Sequence, residues 1–297
     1  MYTTLGPEAL GIRGLSLPDA IDLARTTGFA GLSFDIRAAA TLAEQHGAAY
    51  VRDLFDRAGV RPAHWNLPLN WRQEEGWEAE LGHLPRLAAV AREIGAPRSA
   101  TYMPSGSNER PFAENVDWHV SRLRPIAEAL RAEGCRLGIE YIGPKTYRAA
   151  FEHEFVHTLA GTLELIAAIG SDNVGLMLDS WHLYAAGESP ADLDRLTNDD
   201  VVVVHVNDAP AGVARDEQID TVRALPGETG VIDLGGFIAK LWAIGYDGPV
   251  MPEPFSQRLV DRAATDPVGA AGEAGHAMQA LWGAAGLAEK GQVRVQR

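Results

Sequence analysis

The strongest constraint on the fold is an alternation of short apolar runs with amphipathic stretches, which repeats eight times along the 297 residues. In the amphipathic stretches apolar residues recur at steps of three and four, and many stretches end in glycine, a pattern typical of helices. The apolar runs have the length of strands. They are Leu10–Leu15, Gly31–Ile36, Arg61–Leu67, Ser99–Met103, Leu137–Ile142, Val174–Asp179, Val201–Val206 and Val250–Glu253.

Strict alternation of strands and helices predicts a parallel sheet with the helices outside it. Eight such units in about 290 residues fit a single (β/α)8 TIM barrel of class α/β better than an open doubly wound sheet, which stays the alternative. We expect the barrel domain to cover residues 1–288, followed by a polar C-terminal tail at 289–297.

The composition limits the kinds of binding partner and the cellular location that we expect. The formal net charge is −14, which would repel a nucleic-acid backbone. The one cysteine, Cys135, leaves no intrachain disulfide and suits a reducing compartment. The first residues have neither the basic segment nor the apolar core of a signal peptide, and no apolar run is long enough to span a bilayer. We therefore expect a cytoplasmic protein without nucleic-acid or membrane partners. A homo-oligomer is an open possibility.

Ionisable side chains stand at the ends of four consecutive predicted strands: Glu140, Asp179, His205 and Glu253. Barrel enzymes build their sites at that end of the strands. Lys and Arg are absent from these four runs, so the buried carboxylates call for another counter-charge, such as a divalent cation. Three carboxylates and one imidazole suit Mn²⁺ best, with Mg²⁺, Co²⁺ or Zn²⁺ possible. Singly, each residue has an ordinary reading as a surface ion-pair partner, a helix cap, a core histidine or a turn acid.

Further candidates surround these four residues. His182 follows Asp179 by three residues, and Arg223 lies in a long loop at Asn207–Ile232, so both are predicted to contact a substrate. His64 and Tyr102, at the ends of the third and fourth strands, are predicted to line a sugar site, although both are equally suited to a core. The histidine pair at 153–157 is predicted to start a helix. P-loop, dinucleotide-binding and serine-hydrolase motifs are absent from the sequence.

The segments "GIEYIGP", "DNVGLMLDSWHLYAAG", "VHVNDAP" and "GYDGPVMPEPFS" resemble the sugar phosphate isomerase/epimerase superfamily of xylose isomerase-like TIM barrels. Within it the match is closest to the inosose (2-keto-myo-inositol) isomerases, and it is strongest from Glu140 to Phe255. The resemblance implies one divalent metal ion held by Glu140, Asp179, His205 and Glu253, with the two glutamates also serving as catalytic acid and base. It also implies that His182 and Arg223 contact the substrate.

The implied activity is a metal-dependent isomerisation or epimerisation of a sugar or keto-inositol through a metal-stabilised enediolate. Two alternatives stay open. The same site would serve a lyase, such as an inosose dehydratase or a 3-keto C-glycoside deglycosidase, in which the enediolate expels a leaving group. A non-catalytic barrel subunit that binds sugar is the other alternative.

Overall fold

The computed structural model describes residues 1–287, and the tail predicted at 289–297 lies outside the described residues. Within the described part, nine strands form one curled sheet and two short strands form another. The strands are β1 (Tyr2–Leu5), β2 (Gly31–Leu32), β3 (Arg61–Pro62), β4 (Trp65–Asn66), β5 (Arg98–Met103), β6 (Gly106–Ser107), β7 (Arg136–Tyr141), β8 (His153–Glu154), β9 (Val174–Asp179), β10 (Val201–Val206) and β11 (Pro249–Pro252).

The large sheet is parallel and has the order β3-β2-β1-β11-β10-β9-β7-β5-β4. Its two outer members, β3 and β4, are separated by only two residues of the chain. They act as two halves of one strand, because β3 pairs with β2 while β4 pairs with β5. With β3 and β4 counted as one, the nine strands occupy the eight strand positions of a closed barrel. The predicted (β/α)8 fold is confirmed.

Helices surround the sheet, and several begin at a capping side chain, such as Ser16, Asp35 or Thr158, whose oxygen accepts a backbone N–H of the first turn. Short 3₁₀ turns cover Glu8–Leu10, Pro190–Arg195, Asn198–Asp200 and Arg215–Glu217. The α-helices are α1 (Leu17–Thr26), α2 (Ile36–His46), α3 (Ala48–Ala58), α4 (Trp77–Ile94), α5 (Phe112–Ala132), α6 (Lys145–Arg148), α7 (Leu159–Ile169), α8 (Ser180–Ala185), α9 (Leu234–Ala243), α10 (Gln257–Ala263) and α11 (Pro267–Ala284).

Two sequence predictions about these elements are wrong. The first strand is β1 rather than Leu10–Leu15, because residues 8–10 form a 3₁₀ turn that Gly11 ends with a left-handed φ of 80°. The histidine pair at 153–157 does not start a helix. Its first residue lies in β8, which pairs antiparallel with β6, and α7 begins later, after its cap at Thr158.

The inside of the barrel is filled by a small apolar cluster that lies apart from the main core: Ala100, Met177, Val202 and Val203. The pairing of β10 with β9 shifts register between Val201 and Val203, a bulge that sets Val202 out of the regular ladder. Gly138 and Gly175 pair with each other on neighbouring strands, and a Cβ on either would lie 3.1–3.2 Å from the Val202 side chain. The two glycines make room for this valine.

Among residues 1–287, no helix is long and apolar enough to cross a membrane. Cys135 is a free, buried thiol. The cytoplasmic location stays a prediction.

Replacing Gly175 with alanine should destabilise the barrel, because the new Cβ would lie 2.7 Å from the backbone oxygen of Asp200. We expect a loss of about 1–3 kcal/mol in the free energy of unfolding, measured by urea denaturation. Gly82 in α4 is the control, since a Cβ there meets no atom within 4 Å. Gly82→Ala should stabilise the protein by about 0.5–1 kcal/mol, and equal effects at the two sites would contradict the packing inferred for the barrel interior.

Candidate metal centre

The side chains of the candidate centre lie on, or directly after, four neighbouring strands. Glu140 lies on β7, Asp179 ends β9, His205 lies on β10, and Glu253 directly follows β11. These strands are adjacent in the sheet, and His205 stands in register with Asp179. One ligand atom from each of the four residues lies within 4.8 Å of those of the others. The sequence analysis selected the same four positions.

The donor atoms fit one divalent cation. Opposed ligands about 2.0–2.2 Å from an ion lie slightly closer together than the 4.8 Å spread seen here, so small side-chain shifts would complete the shell. Glu140 Oε1 and both ring nitrogens of His205 are buried and make no hydrogen bond to the described residues. His205 Nδ1 lies 3.5 Å from Glu140 Oε1 and 3.3 Å from Glu253 Oε2, outside hydrogen-bond geometry. Buried polar atoms without partners are rare in proteins and suit coordination.

Arg223, predicted to contact a substrate, also pairs with two of the candidate ligands, which was not predicted from the sequence. Its Nη1 donates to Asp179 Oδ2 at 2.8 Å and to Glu253 Oε2 at 3.1 Å. The side chain is 1% exposed. The counter-charge that the four apolar runs lack therefore comes in part from one arginine of the seventh loop.

Two aromatic rings hold the Arg223 guanidinium in place. Its carbon lies 4.8 Å from the centre of the Trp181 ring and 4.6 Å from that of Phe255. Phe255 has a positive φ of 37°, which is strained for a residue with a side chain. Strained residues of this kind cluster at functional sites, where the surrounding structure holds them.

The proximity of like and unlike charges shifts the pKa values of the cluster. Burial raises the pKa of Glu140 to about 7, against the opposing effect of His205. Burial has the same tendency at Asp179, but the charges of Arg223 and the two nearby histidines, together with the Trp181 backbone N–H, more than offset it and lower the pKa of that carboxyl. For His205, burial alone would lower the pKa, yet the carboxylates of Glu253 and Glu140 raise it well above its usual range. The shift at His205 reflects the neighbouring carboxylates, that at Glu140 reflects burial, and that at Asp179 reflects the nearby positive charge.

Asn207, which the sequence analysis did not select, links two of the four candidate ligands. Its Nδ2 donates to Asp179 Oδ2 at 3.1 Å, and its Oδ1 accepts the backbone N–H of Glu253 at 2.7 Å. The residue is completely buried. Its place directly after the strand that carries His205 was the only available signal, and an asparagine there is equally typical of a turn.

The neighbouring Asp208 fixes the loop that carries Arg223. Its buried carboxylate accepts five backbone N–H groups at 2.7–3.1 Å, from Ala209 and from residues 229–232. Its own backbone forms an antiparallel bridge with Ala224, the residue after Arg223. Both ends of the loop are therefore tied to the end of β10.

The predicted substrate contacts lie at different depths. The His182 ring is 1% exposed, and its Nδ1 accepts the Gly143 N–H at 3.2 Å, while Arg223 Nη2 lies 3.2 Å from Nε2. Burial and the Arg223 charge lower the pKa of His182 to about 4, so the ring is neutral near pH 7. His64 is completely buried, with its ring 6.0 Å from that of His205. Tyr102 is 42% exposed at the mouth. Contact of these three with a substrate stays a prediction.

A cavity of about 800 Å³ opens onto the cluster and is lined by His205 and Glu253 at its inner end. Its outer walls come from the loops after β1, β2 and β4. A cavity of this size suits a small organic molecule, since such ligands occupy sites of roughly 300–1,000 Å³. The outer walls include Pro7, Ile12, Arg13, Phe34, Arg37, Asn66, Leu67, Asn70, Arg72 and Phe255.

The fold and the clustered donors define the class of protein: a (β/α)8 barrel with a candidate metal centre at the carboxyl end of its strands. The chain belongs to the xylose isomerase-like TIM barrel family, whose sequence profile matches residues 21–281.

Individual relatives share the whole barrel. The inosose isomerase of Halalkalibacterium halodurans is 24% identical over 231 residues, which cover 76% of this chain and 77% of that protein. A xylose isomerase domain protein from Alicyclobacillus acidocaldarius superposes with a TM-score of 0.83 at 32% identity, covering 96% of this chain and 99% of the other. The zinc-containing structure of the IOLI protein has the same fold, with a TM-score of 0.72 at 19% identity and coverage of 92% and 96%.

Other relatives are named for different activities, an epimerase and a dehydratase. The L-ribulose 3-epimerase of Mesorhizobium japonicum is 25% identical over 181 residues, which cover 60% of this chain and 54% of that protein. The 3-dehydroshikimate dehydratase of Pseudomonas aeruginosa is 32% identical over 136 residues, covering 45% of this chain and 20% of that protein. The family therefore includes isomerases, epimerases and dehydratases.

Replacing Arg223 with methionine should leave Asp179 and Glu253 buried without their cationic partner. In the presence of a chelator we expect a loss of about 3–5 kcal/mol in the free energy of unfolding, measured by urea denaturation. Adding Mn²⁺ should stabilise this variant more than the wild type, because the ion supplies the missing positive charge.

The control is Arg124→Met, which removes a guanidinium that bonds the carbonyl oxygens of Ala168 and Ile169. Its response to Mn²⁺ should equal that of the wild type. If Mn²⁺ stabilises Arg223→Met no more than the control, the ion and the arginine do not share the same carboxylates.

Proposed function

We propose that the protein is a divalent-metal-dependent isomerase or epimerase of a keto-sugar or keto-inositol. The observation that carries this proposal is the convergence of three carboxylates and His205, whose ring nitrogens have no hydrogen-bond partner, at the inner end of a cavity. Membership of the xylose isomerase-like family supports it, and so do the relatives that are inosose isomerases and an L-ribulose 3-epimerase.

Glu140, Asp179, His205 and Glu253 would hold the ion. The oxygen-rich donor set favours Mn²⁺ among the candidates, and the zinc in the IOLI structure keeps Zn²⁺ among them. When bound, the ion would act as a Lewis acid toward a substrate carbonyl and the hydroxyl beside it.

The proton transfers are assigned to the two glutamates. One of Glu140 and Glu253 removes the proton alpha to the carbonyl as general base, which produces an enediolate. Return of that proton to the former carbonyl carbon, with transfer of the adjacent hydroxyl proton to the former carbonyl oxygen, moves the carbonyl and gives isomerisation. Delivery by the other glutamate to the opposite face of the original carbon inverts that centre and gives epimerisation. The same pair therefore serves both outcomes.

Arg223 and His182 are assigned to the substrate oxygens. The guanidinium already lies against two of the candidate ligands and is held between two rings, so it can stabilise negative charge that develops on an oxygen bound there. The neutral His182 ring lies beside the guanidinium, with Nε2 3.2 Å from Arg223 Nη2, and is assigned to hold a second substrate oxygen there.

A lyase is the second candidate function. The 3-dehydroshikimate dehydratase among the relatives supports it, because elimination from an enediolate needs the same base and the same metal. The two functions differ in product: isomerisation conserves the mass of the substrate, whereas elimination releases water or another leaving group.

Glu253→Gln should reduce turnover at least 10²-fold, because the amide can neither remove a proton nor bind the ion as a carboxylate does. It should also weaken Mn²⁺ binding, measured by competition with a fluorescent chelator. The control is Glu8→Gln, an exposed acid on the wall of the same cavity, which should leave both properties unchanged. Wild-type turnover and metal affinity in Glu253→Gln would refute the assignment.

Solvent deuterium should enter the carbon that is reprotonated when the Mn²⁺-loaded protein acts on a panel of keto-inositols and ketohexoses in D₂O. The expected NMR result is loss of the signal from one alpha proton at unchanged carbon count. Release of water with formation of an unsaturated product would favour the lyase instead. Conversion of a substrate with no deuterium at either carbon would contradict proton abstraction by a solvent-exchanging glutamate.

A further inference from the structure

Arg72 stands out among the arginines of the cavity wall because it is partly buried and has no acidic partner among the described residues. Its Nη1 donates to the backbone oxygen of Tyr102 at 3.0 Å and to Thr101 Oγ1 at 3.3 Å. Neither Nε nor Nη2 donates a hydrogen bond within residues 1–287. Burial lowers the pKa of this guanidinium, so its charge lacks the compensation that an adjacent carboxylate would give.

Other buried or partly buried arginines in the same region are neutralised. Arg122 pairs with Glu74, and Arg110 bonds the same carboxylate at 2.6 Å. Arg72 keeps two hydrogen bonds and two ring contacts but no counter-charge, so an anionic ligand would stabilise its partly desolvated charge further.

Arg72 is held firmly in place. The preceding Trp71 is completely buried and donates from Nε1 to Thr101 Oγ1 at 3.0 Å. The guanidinium carbon lies 4.1 Å from the centre of the Tyr102 ring and 5.1 Å from that of Trp71. A guanidinium fixed in this way loses little entropy when it binds a ligand, which favours recognition.

The position of Arg72 connects it to the candidate metal centre. Tyr102, on which the guanidinium rests, stands in register with Glu140 on the adjacent strand. Arg72 also lines the cavity whose inner end is formed by His205 and Glu253. The cavity volume of about 800 Å³ leaves room for a substrate that extends from the metal centre to this side chain.

Asn66 adds a neutral polar group to the wall of the cavity that Arg72 also lines. It ends β4, two residues after His64, whose ring centre lies 6.0 Å from that of His205. Asn66 is exposed, lines the cavity, and its amide makes no hydrogen bond within the described part of the chain. An amide suits a hydroxyl, whereas a guanidinium suits a carboxylate or a phosphate.

We propose that Arg72 binds an anionic group of the substrate, so that the metal site acts on a keto-sugar or keto-cyclitol that carries a carboxylate or a phosphate. This inference rests on the proposed function, which places the keto end of the substrate at the metal centre. Nε and Nη2 of Arg72 provide two parallel donors, the geometry that a carboxylate or phosphate accepts in a bidentate manner.

Binding of three matched ketoses to the Mn²⁺-loaded protein tests the proposal by isothermal titration calorimetry. D-fructose, D-fructuronate and D-fructose 6-phosphate share a ketone beside a hydroxyl and differ at the sixth carbon, which is a neutral alcohol, a carboxylate or a phosphate ester. We expect at least one anionic ketose to bind about tenfold or more tightly than D-fructose. The preferred anion identifies the substrate as a sugar acid or a sugar phosphate.

Arg72→Met should abolish this preference while leaving the affinity for D-fructose unchanged, because methionine keeps an unbranched apolar chain against the Tyr102 ring. The control is Arg13→Met, which removes one exposed positive charge from the wall of the same cavity and should leave the preference intact. Should Arg72→Met fold poorly, Arg72→Lys replaces it and is expected to lose part of the preference, because lysine keeps the charge but not the paired donors.

The proposal would be overturned by anionic ketoses that bind no more tightly than D-fructose to the wild type, or by a preference that survives in Arg72→Met. Equal losses in Arg72→Met and Arg13→Met would also overturn it, since they would show a general effect of charge. Metal affinity is measured separately, so intact Mn²⁺ binding without anion preference refutes the role of Arg72 alone, whereas absent Mn²⁺ binding refutes the proposed function.

Discussion

The concentration of negative charge at the carboxyl end of the barrel strands is the constraint on which the rest of the site depends. Three carboxylates lie within one cluster, almost removed from water, where isolated ions are strongly disfavoured. Arg223, which also pairs with Asp220 at 2.7 Å, supplies one positive charge, and a bound divalent ion would add two more. The guanidinium and the candidate ion therefore have complementary roles, and neither alone would neutralise the cluster.

Two parts of the fold hold these charged side chains in place: the packed interior of the barrel and the loop that carries Arg223. Beneath the cluster, the bulged Val202 fits against Gly138 and Gly175, which gives the barrel a packed interior rather than a pore. On the loop side of the cluster, the Asp208 carboxylate accepts hydrogen bonds from five backbone N–H groups of the loop that carries Arg223. The long seventh loop is thus a fixed part of the site, because both of its ends are bound to the strand that carries His205.

The sequence alone predicts the barrel and the four candidate ligands, since both follow from local patterns. Apolar runs followed by an acid or a histidine report strand ends directly, and parallel strands place those ends at one edge of the sheet. Contacts made across the fold leave no such pattern. The pairing of Arg223 with Asp179 joins residues 44 positions apart, and the link from Asn207 to Glu253 joins residues 46 positions apart. The first strand was misplaced for a different reason: Tyr2–Leu5 is short and mostly polar, whereas the run at Leu10–Leu15 is more apolar.

The two ends of the cavity are built from different parts of the fold. Its inner end consists of residues at the strand ends whose places are set by the register of the sheet, so relatives that share the barrel can share the proposed proton transfer beside a bound metal. Its outer walls come from loops, which vary without disturbing the sheet. Isomerases, epimerases and dehydratases within one family are consistent with that division, because the fate of an enediolate depends on which substrate groups are placed near it. In this chain the loop after β4 carries Arg72, which lines the same cavity as His205 and Glu253, so the proposed selection of an anionic substrate would depend on a loop and the proposed reaction on the strands.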